Sequence, residues 1–153
     1  MAVSAVPRGY HTVTPYLIAK GAAEAIEFYK KAFSAKELMR FPDKDGKIGH
    51  AEVQIGDSPI MIADEYPEMG FRGPLTLGGS TVGILIYVEK VDECFARAVA
   101  AGGKVLRPIV DQLYGDRSGT LTDPFGHVWT IATHIEDVSP EEIGRRFEAS
   151  TKG

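Results

Sequence analysis

The chain has 153 residues, 44% of them hydrophobic and 25% charged, and carries a formal net charge of −4. These values are typical of one globular domain and exclude a disordered chain, a collagen and a coiled coil. No apolar run reaches the ~18 residues of a membrane-spanning helix, and no basic block is present for a phosphate backbone, so neither a membrane nor a nucleic acid is an expected partner.

The first half of the chain combines one amphipathic helix with several strands. Apolar residues recur at helical spacing from Ala22 to Phe33, with charged residues between them. Alternating or continuous apolar residues predict strands at Val13–Ala19, Glu37–Phe41, His50–Ile55 and Pro59–Ala63. The Asp45-Gly46 pair is typical of a hairpin turn, because glycine adopts a positive φ without strain.

The second half repeats this order of elements after a connection rich in glycine and proline. Residues 65–79 contain two prolines and four glycines, which indicates a linker. The repeat begins with a strand at Thr81–Val88 and a helix at Val91–Ala101, and continues with strands at Lys104–Val110, Thr120–Asp123 and Val128–Thr133. It follows the first half at an offset of about 69 residues, which indicates an internal duplication.

The predicted fold class is α+β. Each half is a βαβββ module, at about residues 12–64 and 80–136, and one such module cannot close its own sheet. Two modules together would form an open, curved mixed sheet with a concave cavity and the helices on the outside. A capping box at Ser139-Pro-Glu-Glu142 predicts a terminal helix at about 140–149. We expect residues 1–153 to be one domain of this kind.

Two segments carry a likeness to a known family. They are Tyr-Gly-Asp-Arg-Ser-Gly-Thr-Leu-Thr-Asp-Pro-Phe-Gly-His-Val-Trp at 114–129 and Ile-Gly-His-Ala-Glu-Val-Gln-Ile-Gly-Asp at 48–57. With the duplication, the chain resembles the vicinal oxygen chelate superfamily of glyoxalase I, the bleomycin-resistance proteins and the extradiol dioxygenases, and the second segment is similar to its PhnB-like branch. The resemblance covers about residues 12–136. It implies the fold, but this fold hosts many activities.

The resemblance also implies where a metal ion would bind. In the metal-dependent members, four strands each direct one His, Glu or Gln at a divalent ion, and the matching positions here are Thr14, Met61, Gly83 and Thr130. These side chains do not make a ligand shell for such an ion. The chain therefore resembles the metal-free binding members, and no cofactor is expected.

Two tyrosines are candidates for contacting a ligand. If Thr130 faces the cavity, then Trp129 and Ile131 pack under the helices, because side chains alternate along a strand. The same alternation directs Tyr16 and Tyr87 into the cavity, where they would hold a planar ligand between them. The alternative is a pair of half-exposed core tyrosines whose hydroxyl groups reach water.

Two residues in the second half of the chain are further candidates for contacting a ligand. Tyr114 lies near Arg117, and a guanidinium there would bind a ligand carboxylate or phosphate. The alternative for Arg117 is an ion pair with Asp116 or Asp123 that holds the loop.

His50 and Glu52 are the candidate catalytic residues. They lie on one face of a strand, with His50 as a general base and Glu52 as the group that orients it. The alternative is a solvated edge or a dimer surface. A relocated metal site is a further possibility, with a third ligand from His11, His127 or His134; His127 itself is expected to be exposed.

Three classes of function follow from these residues. The first is metal-free binding of a planar or amphipathic small molecule. The second is an enzyme, either a metal-dependent lyase or dioxygenase with relocated ligands, or a metal-free isomerase or lyase with His50 as base. The third is a structural dimer or regulator. A homodimer is expected, since dimers are common in the superfamily that the chain resembles. The single cysteine, Cys94, and the absence of a leader-like segment predict a cytoplasmic location.

Overall fold

The computed structural model describes residues 2–152, which form two modules and a terminal helix. The first module consists of β1 (Tyr16–Ala19), α1 (Ala22–Phe33), β2 (Lys36–Pro42), β3 (Ile48–Ile55) and β4 (Ser58–Asp64). The connection contains a 3-10 turn (Pro67–Met69) and the one-turn helix α2 (Pro74–Leu77). The second module consists of β5 (Gly83–Tyr87), α3 (Val91–Ala100), β6 (Lys104–Asp111), β7 (Asp116–Thr122) and β8 (Val128–His134), and α4 (Pro140–Thr151) follows it.

Each module forms its own mixed sheet of four strands. The strand orders are β1-β4-β3-β2 and β5-β8-β7-β6, with the first strand parallel to the last and the other pairs antiparallel. The predicted α+β duplication with open sheets is therefore confirmed. Among the described residues, no ladder joins the two sheets, so β1 and β5 each remain an edge strand.

Each long module helix begins against a side chain from the last strand of its own module. Asp64 Oδ1 accepts hydrogen bonds from the backbone N–H groups of Gly21 at 3.0 Å and Ala22 at 2.9 Å. Thr133 Oγ1 accepts one from the N–H of Val91 at 3.0 Å. These capping bonds satisfy donors that a helix start leaves unpaired. They also make Asp64 and Thr133 equivalent positions in the two modules.

The helices cover one face of each sheet and pack against each other. Trp129 and Ile131 are fully buried in this core, as the strand alternation predicts. The Trp129 ring lies 4.7 Å from the Phe33 ring and 5.2 Å from the Tyr29 ring, measured between centroids, so a strand of one module packs on the helix of the other. The core is therefore continuous across both modules.

The predicted order of elements is confirmed, with differences at some ends. β1 begins at Tyr16 rather than Val13, because Pro15 has no N–H to donate to the ladder. β7 begins at Asp116 rather than Thr120, since its polar start pairs with the end of β8. Ser139 Oγ accepts from the N–H of Glu142 at 3.2 Å, as the capping box predicts. No helix within residues 2–152 is long and apolar enough to cross a membrane.

Candidate functional site

We call the face of each sheet that turns away from its helix the open face. On module 1, strand pairing places Tyr16, Met61, Glu52 and Met39 in one row across the open face. Phe41 lies beside His50 on the same face. The large side chains at its rim are exposed, 49% for Tyr16 and 60% for Phe41.

A chain of hydrogen bonds joins three of these side chains. Tyr16 Oη lies 2.8 Å from His50 Nδ1, and His50 Nε2 lies 2.9 Å from Glu52 Oε1. A carboxylate only accepts hydrogen bonds, so we assign the ring proton to Nε2 and Nδ1 is left as the acceptor of the Tyr16 hydroxyl proton. Glu52 is 6% exposed, and its Oε2 has no hydrogen-bond partner within residues 2–152. The two candidate catalytic residues are thus brought together with one candidate ligand contact.

The positions of these residues follow from simple strand geometry. His50 and Glu52 are two residues apart on β3, so both point to the same face. Tyr16 lies on β1, and β4 runs between β1 and β3. Strands separated by one other strand lie roughly 10 Å apart, which a tyrosine and a histidine together can bridge. Burial raises the pKa of Tyr16, so its phenol remains protonated and available as a donor.

A hollow of about 400 Å³ lies beside Tyr16, between β1 and the connection of the two modules. Arg72, Leu77 and Thr81 line it. Arg72 makes no hydrogen bond or ion pair in the described part of the chain, so its guanidinium is available to a ligand. No pattern in the sequence indicates this role, because Arg72 lies in the segment predicted as a linker.

His127 also lines this hollow, but it is 8% exposed rather than exposed as expected from its turn. Its Nε2 lies 2.9 Å from the carbonyl oxygen of Ile18. Ile18 belongs to the edge strand β1, so its carbonyl has room for a partner from outside the sheet. His127 therefore ties the second module to the first.

The open face of module 2 has a different polar cluster. Tyr87 Oη donates to Asp116 Oδ2 at 2.9 Å, and His134 Nδ1 lies 2.7 Å from Asp116 Oδ1. The second ring nitrogen of His134 lies 2.7 Å from Asp137 Oδ1. The hydrogen bond to Asp116 raises the pKa of Tyr87. Hydrogen bonds to Asp116 and Asp137 raise the pKa of His134, and the bond to Asp116 has the larger effect. The sequence did not identify Asp116 as part of this cluster.

Tyr16 and Tyr87 are not brought together in the single chain. Tyr16 pairs with Met61, whereas Tyr87 pairs with Ala132, and the residue paired with Thr130 is Leu85. Met61 and Thr130 are equivalent, each lying three residues before its helix cap, so the counterpart of Tyr16 is Leu85. Tyr87 lines a different space, a cleft of about 990 Å³ between the modules. The expected sandwich of a ligand between the two rings is therefore not formed within one chain.

Two of the remaining predicted ligand contacts, Thr130 and Tyr114, lie in different places of the second module. Thr130 lies on the open face, with its Oγ1 2.9 Å from that of Thr120. Tyr114 is 41% exposed in the turn between β6 and β7.

Arg117 points to the helix-covered side of its sheet instead of the cavity. Its Nε and Nη2 donate to Asp92 at 3.0 and 2.9 Å, and its Nη1 donates to Asp111 at 2.9 Å. Because β7 begins at Asp116, alternation puts Arg117 on the face of the buried Leu121. Arg117 thus forms ion pairs, as the alternative prediction stated, but its partners are Asp92 and Asp111 instead of Asp116 or Asp123.

The residues present do not fit a divalent metal ion. Thr14, Met61, Gly83 and Thr130 offer two hydroxyls and a thioether, and Thr14 Oγ1 donates to the His11 carbonyl at 3.1 Å. Within residues 2–152, no group of three or more His, Cys, Asp or Glu side chains is placed to hold a metal ion. The relocated site is not assembled either, because His11, His127 and His134 each bond to a group away from His50.

Comparison with known proteins finds one family model, an uncharacterized relative and two solved structures of the same fold. The model of the Glyoxalase/Bleomycin resistance protein/Dioxygenase superfamily matches residues 10–131. The uncharacterized protein Mb0911c of Mycobacterium bovis is 42% identical over 156 residues, which cover 100% of both chains. The structure of TioX from Micromonospora sp. ML1 matches with a TM-score of 0.64 and 25% identity over 82% of this chain and 99% of TioX. A PhnB protein from Bacillus cereus has the same fold, with a TM-score of 0.64 and 20% identity over 80% of this chain and 99% of its own.

Proposed function

The chain belongs to the glyoxalase/bleomycin resistance protein/dioxygenase superfamily, and we propose that it binds a small planar or amphipathic molecule on its open faces without a metal ion. The observation that carries the proposal is the exposure of large apolar side chains opposite a well-closed core. Besides Tyr16 and Phe41 on module 1, Leu85 is 46% and Tyr87 64% exposed on module 2. Exposed apolar surface of this kind marks binding sites.

The polar groups among these side chains support binding of a specific ligand rather than nonspecific hydrophobic adsorption. Ligand sites combine an apolar lining with a few fixed polar groups. Tyr16 is held by His50, and Tyr87 by Asp116, so both hydroxyl oxygens have defined positions. We propose Tyr16, Tyr87 and Thr130 as ligand contacts, with Tyr114 at the rim. Arg72 replaces Arg117 as the proposed anchor for an acidic group.

We further propose that a second copy of the chain completes the site. In one chain, the two open faces carry exposed apolar side chains, and the outer side of β5 pairs with no other strand among residues 2–152. An exposed strand edge is a ready surface for pairing with another chain. A two-fold dimer would cover the β5 edge of each copy with the same contacts, because such an interface is self-complementary. The tyrosines of the two modules could then meet across the interface.

A metal-dependent enzyme and a structural dimer have less support. A metal-dependent lyase or dioxygenase needs donors that the described residues do not group together. A purely structural dimer does not account for the polar clusters that position Tyr16 and Tyr87. Cys94 is buried and free, which supports a reducing compartment such as the cytoplasm.

The test is a titration with 8-anilinonaphthalene-1-sulfonate, a planar amphipathic dye, followed by fluorescence and calorimetry. The wild-type chain should bind it saturably. A stacking ring contributes about 0.5–1.5 kcal/mol beyond its area, so Tyr16→Ala and Tyr87→Ala should each weaken binding several-fold and together weaken it further. Phe147→Ala, on α4, removes a ring of similar exposure as the control. Absence of saturable binding, or equal effects of all three substitutions, would contradict the proposal.

A further inference from the structure

We infer that Tyr16, His50 and Glu52 form a proton-transfer site, in which the phenolic oxygen of Tyr16 takes a proton from a carbon acid bound on the open face of module 1. The inference rests on the proposed function, since the carbon acid must first bind there. The substrate class is a planar or amphipathic molecule with a C–H bond activated by a neighbouring carbonyl or comparable group. The reaction class is isomerisation or elimination.

The direction of the hydrogen bonds supports Tyr16 as the group that meets the substrate. The hydroxyl proton of Tyr16 points at His50 Nδ1, so the phenolic oxygen turns its lone pairs outward. Tyr16 is 49% exposed and lines the hollow of about 400 Å³. His50 has both nitrogens occupied, one by Tyr16 and one by Glu52, and reaches a ligand only through Tyr16.

The environment of Glu52 supports proton movement inward along the chain. Its carboxyl group is buried, yet Oε2 has no partner within residues 2–152 and Oε1 has only His50. A buried carboxylate with so few hydrogen bonds is poorly compensated. Formation of an imidazolium 2.9 Å away would supply the missing positive charge. The negative charge of Glu52 is therefore in place to stabilise the positive charge that His50 acquires on proton transfer. Preorganised charges of this kind lower the activation barrier of a reaction.

The step balances without any added reagent. The substrate C–H proton moves to the Tyr16 oxygen, while the Tyr16 hydroxyl proton moves to His50 Nδ1. The electron pair of the C–H bond remains on the substrate, as an enolate or as a new multiple bond with loss of a leaving group. Arg72, which lines the same hollow, can stabilise the negative oxygen that results. Return of the proton to a different carbon completes an isomerisation.

The test uses 5-nitrobenzisoxazole, a planar carbon acid whose deprotonation breaks its N–O bond and releases a coloured phenolate. A positioned proton-transfer group contributes about 10²–10⁴-fold, so Tyr16→Phe and Glu52→Gln should each lower kcat by about tenfold or more. Tyr66→Phe is the matched control, because this tyrosine also donates its hydroxyl proton to a side chain, Asp43 at 2.9 Å, but away from the site. It should leave kcat unchanged.

Binding of the same compound, measured by calorimetry, separates the possible outcomes. If the wild-type chain binds it but reacts no faster than free imidazole, the inference is wrong and the proposed function stands. If it neither binds nor reacts, both are contradicted. If Tyr16→Phe retains or raises kcat, His50 is itself the base and the role of Tyr16 is wrong. Should Glu52→Gln fail to fold, His50→Gln breaks the same chain of hydrogen bonds at a less buried residue and should also lower kcat.

Discussion

We expect Asp123→Ala to be among the most destabilising single substitutions in this protein. Asp123 is 3% exposed and occupies the first position of the turn before β8. Its Oδ1 accepts from the backbone N–H groups of Phe125 at 2.9 Å and His127 at 3.0 Å. Its Oδ2 accepts from Tyr29 Oη at 2.6 Å and Trp129 Nε1 at 2.9 Å. One carboxylate therefore connects the turn, the core helix α1 and strand β8.

The magnitude follows from the donors that the substitution leaves behind. Tyr29 and Trp129 are both fully buried, and burial together with Asp123 raises the pKa of Tyr29 well above its usual value, so its hydroxyl remains a donor. A buried donor without a partner costs about 1–3 kcal/mol, or roughly 2–6 kcal/mol for the two. Domains are stable by about 5–15 kcal/mol in total. The variant should thus lose a large part of its free energy of unfolding.

A second aspartate provides the matched control. Asp43 also accepts two backbone N–H bonds on Oδ1 and a tyrosine hydroxyl on Oδ2, but it lies in a partly solvated hairpin turn. Urea unfolding, followed by the fluorescence of the single tryptophan, should show a much smaller loss for Asp43→Ala than for Asp123→Ala. Tyr29→Phe should cost less in the Asp123→Ala background than in the wild type, since it then removes an unpaired donor. Equal losses for the two aspartates would refute this reasoning.

Three other expectations concern the core, the second polar cluster and the assembly. Trp129→Ala should cost about 3–5 kcal/mol as a core truncation, whereas Tyr87→Ala should barely move the urea midpoint; the reverse order would invert our assignment of the two sheet faces. Asp116 and Asp137 raise the pKa of His134, so its stabilising contribution is complete below about pH 6.5 and is lost as the pH rises through the raised value. His134→Gln should remove that slope from the pH dependence of stability, and a slope that persists would contradict the assignment. Light scattering at tens of micromolar should show a dimer, and a 16.6 kDa monomer would oppose it.

The order of elements and the buried face of each strand could be predicted from the sequence, because both depend on local periodicity. The alternation along β8 directs Trp129 and Ile131 into the core, and the structure confirms this. The duplication supports the same order of elements, because the apolar pattern of one module repeats in the other. Helix α1 begins and ends at the predicted residues, Ala22 and Phe33.

The errors arise where a polar residue is stabilised by partners distant in sequence. Asp116 looks like a loop residue, but Tyr87 and His134 make it a buried strand residue. Extending β7 to Asp116 fixes the direction of Arg117, which a loop would have left free. His127 looks exposed because it follows a turn glycine, yet the free carbonyl of Ile18 binds it. The partners in these contacts are 18 to 109 positions apart in the sequence, so the periodicity around each residue does not indicate them.

The strand registers show that the duplication has preserved the fold but not the chemistry of the open faces. In module 1, one row across the sheet contains Tyr16, Met61 and Glu52; the equivalent row in module 2 contains Leu85, Thr130 and Thr120. None of the side chains in this module 2 row titrates near neutral pH, so the proposed proton transfer has no counterpart in the equivalent row. Module 2 instead offers the apolar surface of Leu85 and the fixed ring of Tyr87. In a dimer that brings unlike modules together, one face would therefore orient the ligand while the other carries out the proton transfer.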